Sequence, residues 1–183
     1  MPTTYHIADA DVLTLVARVM ERYRPRLHQA AVRIGVLMAH NSDAPAVKHG
    51  GYPASATIRV VSLKDRVTKE YDAEMMIDAR EFEGLRERQQ QALIAHELHH
   101  LDTVDLSRDE LAARDDGDPV TWKTDDLGRP KLKLVKGDWH AGDGFRVVVQ
   151  EFGADAIEFE NIARAKAHAD AARRQGDRER GEP

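Results

Sequence analysis

The sequence predicts an α+β domain in which a small mixed or antiparallel sheet packs on one central helix. Apolar residues recur at helical spacing near the start, the middle and the end of the chain. Three short runs rich in Val, Ile, Leu and Met lie between the first two of these segments, and a β-hairpin signal follows the second. The length of 183 residues suits one domain with a sizeable core. We place that domain at residues 5–172 and expect the charged residues 173–183 to form a disordered tail.

The first half of the chain is predicted to hold one helix and three strands. The helix covers residues 11–30, and Pro25 is expected to kink or shorten it. Residues 41–55, with two Pro and a Gly pair, are predicted to form a loop, and residues 64–69 a turn. The predicted strands are residues 31–38, 57–63 and 73–78.

The central helix is predicted over residues 89–104, which contain no Pro and no Gly. Asp78, followed three residues later by Glu81, is a start signal of the capping-box type for this helix. The residues that form its core-facing stripe are Ile94, Leu98 and Leu101.

A hairpin and a last helix are predicted after the central helix. The two arms of the hairpin are residues 120–123 and 131–135, and the turn between them lies at residues 125–130. The last helix is predicted over residues 145–175, with a break at Gly153.

The overall composition excludes several classes of protein. With 27 basic and 32 acidic residues and a net charge of -5, the chain offers no general electrostatic attraction for nucleic acid or an anionic membrane. The absence of Cys excludes a disulfide framework and a thiolate metal site, so any zinc must be held by His and carboxylates. The N-terminal residues lack the features of a secretory signal, and no apolar run reaches membrane-spanning length. We therefore expect a cytoplasmic protein.

Residues 96–100 read HELHH and form an HExxH motif at the end of the central helix. Residues four apart on a helix lie one above the other, so His96 and His100 are placed to bind one metal ion. Glu97 lies beside them, where a carboxylate can hold and deprotonate a metal-bound water. The alternative is a surface helix with coincidental histidines. Because these polar residues lie beside the apolar stripe rather than on it, we favour the metal site.

A catalytic zinc needs a third protein ligand and an open position for water. Thr103 and Leu106 stand three and six residues after His100, so the extended HExxHxxGxxH motif is absent. His140, between the hairpin and the last helix, is the next candidate. Asp143 is either a further ligand or the cap of that helix. The carboxylates held in reserve are Glu110, Glu151 and Glu158, of which Glu151 is the least strained because it lies on the helix that His140 introduces.

Two supporting roles also have sequence candidates. Ligating histidines usually donate their other ring N–H to a carboxylate or a carbonyl. The carboxylates close enough in sequence for that role are Asp102, Asp105 and Glu110. The candidates for stabilising the oxyanion of a hydrolytic intermediate are Tyr52, Tyr71, His99 and Arg146, and for His99 a solvated or capping role is favoured over catalysis.

These motifs resemble the putative phage metallopeptidase family. Residues 95–100 (AHELHH) are followed by His140, Asp143 and Phe145, and then by the VVxxFG pattern at residues 148–153. The same spacing is similar to that of SprT-like zinc proteases. The resemblance covers most of the chain in architecture and implies that His140 is the third zinc ligand.

The resemblance also implies a fold and a function. The fold would be a zincin-like minimal metallopeptidase domain, and the function would be hydrolysis of peptide bonds by a Zn2+-activated water, with Glu97 as the catalytic base. A phage or prophage origin would place the protein in the host cytoplasm. Its partner would be a protein or peptide, with no membrane and no nucleic acid expected. The substrate would bind as an added strand along a sheet edge, for which residues 73–78 are our candidate.

Three other functions remain open at the level of sequence. The first is an SprT-like protease that acts on DNA-associated proteins, the second is a non-catalytic metal-stabilised module, and the third is a virion assembly protein with a degenerate site. The Lys131, Lys133 and Lys136 row and the arginines of the tail are basic, but acidic residues interrupt both, so a solvated surface is favoured. Nothing in the sequence indicates an oligomeric state or separates zinc from other divalent ions that accept imidazole.

Overall fold

A four-stranded mixed sheet lies at the centre of the structure, a computed structural model that describes residues 2–114, 119–135 and 143–159. The strands are β1 (Thr4–Ile7), β2 (Ile34–His40), β3 (Lys48–His49), β4 (Tyr52–Pro53), β5 (Ala56–Val60), β6 (Ala73–Asp78), β7 (Leu101–Thr103) and β8 (Leu132–Leu134). The helices are α1 (Ala10–Tyr23), α2 (Pro25–Gln29), α3 (Leu63–Lys69), α4 (Ala79–Glu83), α5 (Glu87–His99), α6 (Arg108–Ala112) and α7 (Asp143–Phe152). The predicted α+β class with a small mixed sheet is confirmed.

The central sheet has the strand order β1-β2-β6-β5. β2 and β6 run parallel, whereas β1 and β5 each pair antiparallel with their neighbour. The inner strand β6 is buried over nearly its whole length, and Met75 and Ile77 are fully buried. A strand covered on both faces needs no polar alternation, which explains its continuous apolar run. β2 begins later than predicted because Ala31 adopts a left-handed φ of 51° as the chain leaves α2.

Proline and capping residues set three helix boundaries differently from the sequence prediction. The predicted helix over residues 11–30 is two helices, because Pro25 takes the first position of α2, where its missing N–H costs nothing. The turn predicted at residues 64–69 is the helix α3, whose start is capped by Ser62 accepting a hydrogen bond from the backbone N–H of Asp65. The Asp78 cap starts the short helix α4, not the central helix.

The central helix α5 begins after its own cap and ends at the motif. The backbone N–H of Arg86 donates to the side-chain oxygen of Gln89, and the helix starts at Glu87. It ends at His99, with His100 as the C-terminal cap, and the next three residues form β7. The prediction of a helix through residue 104 was therefore wrong at its C-terminal end. The motif lies where the chain passes from helix to strand.

The predicted hairpin turn is present, but its two arms diverge. Asp125 and Arg129 close the turn with a backbone hydrogen bond, and Thr124 faces Pro130. Beyond the turn, β8 pairs with β7, whereas Trp122 pairs with Asp105. The strand that leaves α5 therefore separates the two arms, and it brings the end of β8 beside the motif.

The last described helix, α7, starts at Asp143 and ends at Phe152. Gly153, with a left-handed φ of 56°, begins a 3-10 turn that ends at Asp155, so the predicted break is confirmed. The part of the predicted helix beyond residue 159 and the predicted tail lie outside the described residues.

The core of the domain surrounds α5. The predicted stripe of this helix is fully buried, and Leu93 on the neighbouring face is buried as well. α5 packs against α1, α7 and β5, so it is covered on several sides. The buried residues that form its stripe are Ile94 and Leu98, continued by Leu101 at the start of β7. This packing holds the backbone of the motif rigid.

A buried ion cluster ties the hairpin turn to the sheet. Arg66 of α3 is 5% exposed, and its Nη1 lies 2.7 Å from Asp125 Oδ2 and 3.4 Å from Asp72 Oδ1. Arg129 Nη2 lies 2.8 Å from the same Asp72 oxygen. Burial alone would raise the pKa of Asp125, but hydrogen bonds from the Arg129 and Leu127 backbone N–H groups and from Arg66 hold that pKa below its usual value.

We expect Asp125→Asn to lower the free energy of unfolding by roughly 3 kcal/mol, because it leaves the buried Arg66 with less charge compensation. Urea unfolding at pH 7 measures the effect. Asp126→Asn, at the exposed neighbouring position, is the matched control and should change stability by less than about 0.5 kcal/mol.

The lowered pKa of Asp125 also sets the sign of the pH dependence. Its contribution is present above the unfolded pKa of about 3.9 and is lost as the pH falls through the folded pKa. The gap in stability between the natural protein and Asp125→Asn should therefore shrink below about pH 4. An unchanged gap at acid pH would contradict this account.

Candidate metal centre

His96 and His100 bring their ring nitrogens together at the C-terminal end of α5. The two Nε2 atoms are 3.3 Å apart. The ring centroids are 5.0 Å apart, and the ring planes meet at 76°. His96 lies in the last turn of the helix and His100 caps its end, so the four-residue spacing places both rings on one face.

The other nitrogen of each ring is held by a residue far away in the sequence. His96 Nδ1 lies 2.9 Å from Glu158 Oε1, and His100 Nδ1 lies 3.0 Å from the carbonyl oxygen of Val135. Because a carbonyl or a carboxylate only accepts, each Nδ1 carries the proton and donates it. Each Nε2 then has the lone pair that a metal requires. The Val135 backbone N–H also donates to the His100 carbonyl at 2.7 Å, so Val135 contacts His100 on both its ring and its backbone.

Glu158 is the carboxylate that orients His96. It is 3% exposed, and its Oε2 atom is buried without a hydrogen-bond partner among the described residues. The sequence candidates for this role contact other groups. Asp102 pairs with Arg24 and Lys133. Asp105 pairs with Arg26, and Glu110 caps α6 and contacts Lys123.

No local signal in the sequence identifies Glu158 as the partner of His96. From the sequence, Glu158 is only a reserve metal ligand, because it lies 62 positions from His96 and their contact depends on how α7 packs on α5.

Burial shapes the electrostatics of Glu97 and His100. Glu97 is 6% exposed, and burial raises its pKa to about 7, with the nearby His96 acting in the opposite direction. Burial lowers the pKa of His100; the hydrogen bond to Val135 opposes this shift, and the charges of His96 and His49 add to it. A neutral imidazole is the form that binds a metal, so the lowered pKa of His100 favours His100 as a metal ligand.

An open cleft of about 650 Å³ lies in front of the motif. His96, Glu97 and His100 line one part of it. Its other described walls come from residues 53–58, which lead into and include most of β5, from His49 of β3, and from the segment 134–135 that ends β8. The cleft therefore runs between the motif and one margin of the sheet.

That margin is formed by β5, and the sequence candidate for the edge was wrong. Residues 73–78 form β6, which pairs with β2 on one side and with β5 on the other. Its run of apolar residues reflects a central strand, which is buried on both faces. Among the described residues, β5 has a strand partner in the sheet only on the β6 side.

The structure gives partners to several other residues that the sequence singled out. Glu151 accepts hydrogen bonds from Arg22 and Tyr23 of α1. Tyr71 donates to Glu74 on β6. His99 lies 2.6 Å from the carbonyl oxygen of Ala95 through Nδ1, and its pKa is lowered mainly by burial. Tyr52 is 77% exposed on β4, and Arg146 is exposed on α7. His140 and the side chain of Asp143 lie outside the described part of the chain.

The two imidazoles fit one metal ion with nitrogen ligands. Zn–N bonds of about 2.05 Å in a tetrahedral site place two ligating nitrogens about 3.3–3.4 Å apart. The Nε2 atoms of His96 and His100 are 3.3 Å apart. A cation there would also compensate the cost of the buried Glu97 carboxylate. Within residues 2–114, 119–135 and 143–159, no group of three or more candidate side chains surrounds a metal position, so these residues supply two ligands and not a third.

No helix in the described ranges is both long enough and apolar enough to cross a membrane.

Sequence comparison assigns the family. Comparison with curated proteins and with solved structures gave no match. A family model described as putative phage metallopeptidase matches residues 4–168. Such a family implies a metal cofactor and protein or peptide substrates. The match covers most of the chain, which therefore belongs to the putative phage metallopeptidase family.

Proposed function

We propose that this protein is a zinc-dependent metalloendopeptidase with a zincin-like active site, encoded by a phage or prophage. The observation that carries the proposal is the pair of Nε2 atoms 3.3 Å apart, each oriented by a hydrogen bond at the opposite nitrogen, beside the buried Glu97 in one cleft. This arrangement combines two metal-binding imidazoles with a general base, and metal-assisted hydrolysis uses both of these parts. Location in the host cytoplasm stays a prediction.

His96 and His100 would hold the zinc, with His140 as the third ligand that the family resemblance implies. Held there, zinc would supply an activated water and would polarise the scissile carbonyl. Glu97 takes the proton of the attacking water at its carboxylate and passes it to the leaving amine. Glu158 keeps His96 in the Nδ1–H tautomer, and Val135 does the same for His100.

The cleft favours an extended peptide as substrate. β5 presents the side of its backbone that faces away from β6, so a peptide can add to this strand by main-chain hydrogen bonds. Main-chain recognition depends little on sequence, whereas the apolar side chains of the cleft would select the neighbouring residues. The larger apolar side chains that line it are Ile58, Leu93, Leu134, Val135 and Ile157.

The rival functions have weaker support. A structural metal site prefers four closed ligands and has no use for a buried glutamate that faces an open cleft. For an SprT-like enzyme acting on DNA-bound proteins, Lys133 belongs to the basic row that could contact nucleic acid. That residue lies 3.8 Å from Asp102 and 3.6 Å from Asp105, so neighbouring acids already offset its charge. Lys136 and the tail arginines lie outside the described residues.

We expect Glu97→Gln to bind zinc with the stoichiometry of the natural protein and to lose at least about 100-fold in kcat, because it removes only the general base. Peptidase activity on denatured casein and zinc content by atomic absorption measure the two effects. Equal turnover by both proteins would exclude Glu97 as the base.

Metal content tests the ligand set. We expect His96→Ala to purify without zinc and His140→Ala to bind it much more weakly than the natural protein, while His28→Ala, at an exposed site on α2, keeps full occupancy. If His140→Ala retained its zinc and His96→Ala lost it, His140 would be excluded as the third ligand.

Glu158→Gln should weaken zinc binding by about 10–100-fold, because the partner of His96 Nδ1 loses its charge. Competition with a chromophoric chelator measures the affinity. Glu151→Gln is the matched control, since Glu151 contacts Arg22 and Tyr23 instead. A similar affinity for both variants would show that the carboxylate of Glu158 does not support the metal site.

A further inference from the structure

His49 lines the same cleft as His96, Glu97 and His100, but it comes from a separate element. β3 and β4 form a two-stranded hairpin in which His49 pairs with Tyr52. Gly50 and Gly51 make its two-residue turn, with φ values of +57° and +87°. Two left-handed residues suit this type of turn, and they place His49 directly before the reversal of the chain.

The stem of this hairpin is anchored, so the position of His49 is defined. The backbone N–H of Ala46 donates to Asp78 Oδ2 at 2.8 Å, which ties the incoming strand to the end of β6. Val47 is 2% exposed, and its carbonyl accepts from the Ala54 N–H at 3.1 Å. The tip itself is exposed. His49 thus stands on a fixed stem, with its side chain open to the cleft.

Few side chains in the cleft can donate a hydrogen bond to a substrate. The described lining residues that carry an N–H or O–H donor are His49, Ser55, Thr57, His96 and His100. Ser55 donates its hydroxyl to Glu81 at 2.5 Å. His96 and His100 use Nδ1–H for Glu158 and Val135. Within the described cleft, His49 and Thr57 remain as donors.

We favour His49 over Thr57 as the donor to the reacting carbonyl. His49 lines the cleft together with His96, Glu97 and His100, and it belongs to the β3–β4 hairpin, which is separate from the strand that a peptide would pair with. Thr57 lies on β5, where contact with the substrate is through the backbone. Among the described residues the side chain of His49 has no hydrogen bond and no ion pair, so its imidazole can bind a ligand without first breaking another contact.

We propose that His49 binds the substrate by donating a ring N–H to the carbonyl oxygen of the scissile peptide bond. The assignment rests on the proposed peptidase function. In the reaction, water adds to the carbonyl carbon and its proton passes to Glu97, which gives that proton to the leaving amine as the C–N bond breaks. The negative charge that forms on the carbonyl oxygen is stabilised by the His49 hydrogen bond, and His49 keeps its proton throughout. A fixed donor aimed at a developing oxyanion lowers the barrier more than it strengthens substrate binding.

The test compares zinc-loaded full-length protein with His49→Ala, His49→Gln and Thr57→Val. His28→Ala is the matched control for removal of an exposed histidine. Three quantities are measured: zinc content, kcat and KM on a mixture of internally quenched peptides, and affinity for a phosphinic tripeptide by calorimetry. The phosphinic group imitates the tetrahedral oxyanion and reports on binding without turnover.

We expect His49→Ala to keep its zinc, to lose about 100-fold in kcat with little change in KM, and to bind the phosphinic tripeptide at least about tenfold more weakly. His49→Gln, which retains an N–H donor, should recover part of both losses. The loss in His49→Ala should exceed that in Thr57→Val by tenfold or more.

Each contrary result has one meaning. If His49→Ala matches the natural protein in kcat and in affinity for the phosphinic tripeptide, the role of His49 is overturned while the peptidase function stands. If His49→Ala loses its zinc, His49 is a metal ligand and the assignment as an oxyanion donor is wrong. If the natural protein neither cleaves the peptides nor binds the phosphinic tripeptide, the proposed function itself fails, and this inference fails with it.

Discussion

The candidate site depends on the hydrogen bonds at the Nδ1 atoms of His96 and His100. A histidine ring can rotate and can carry its proton on either nitrogen, so a helix alone does not direct two Nε2 lone pairs to one point. Glu158 and Val135 remove that freedom, because one supplies a buried carboxylate and the other a backbone carbonyl. The rest of the fold can be understood as the scaffold that brings these two acceptors to α5.

Two segments that both follow α5 in the chain form that scaffold. The chain leaves α5 directly as β7, and β7 pairs with β8, so Val135 arrives next to His100. The buried cluster around Arg66 and Asp125 fixes the turn that leads into β8. On the other side, α7 packs on α5 and the Gly153 break turns the chain so that Glu158 reaches His96. The residues that orient His96 and His100 are therefore held in place by contacts between segments far apart in the sequence.

The burial of Glu97 has an energetic consequence. A carboxylate removed from water is costly unless a positive group lies nearby, and here the compensation comes from the neighbouring His96 and from any cation held by the two imidazoles. Natural proteins accept such local cost where chemistry needs it. Glu97 nevertheless lines the open cleft along β5, while most of α5 is covered by the core.

The sequence by itself determined the α+β class, the central position of the motif helix and the convergence of His96, Glu97 and His100. These follow from the helical period and from binary patterning, which act between residues close in the chain. It also located the hairpin turn and the break at Gly153, where glycine and turn chemistry are local. Only the tertiary structure decided that β6 is an inner strand and that β5 is the edge strand beside the cleft. It also decided that Glu158 and Val135 orient the two histidine rings and that His49 lines the cleft. Those facts depend on strand order and on packing between distant segments, and no short-range pattern encodes them.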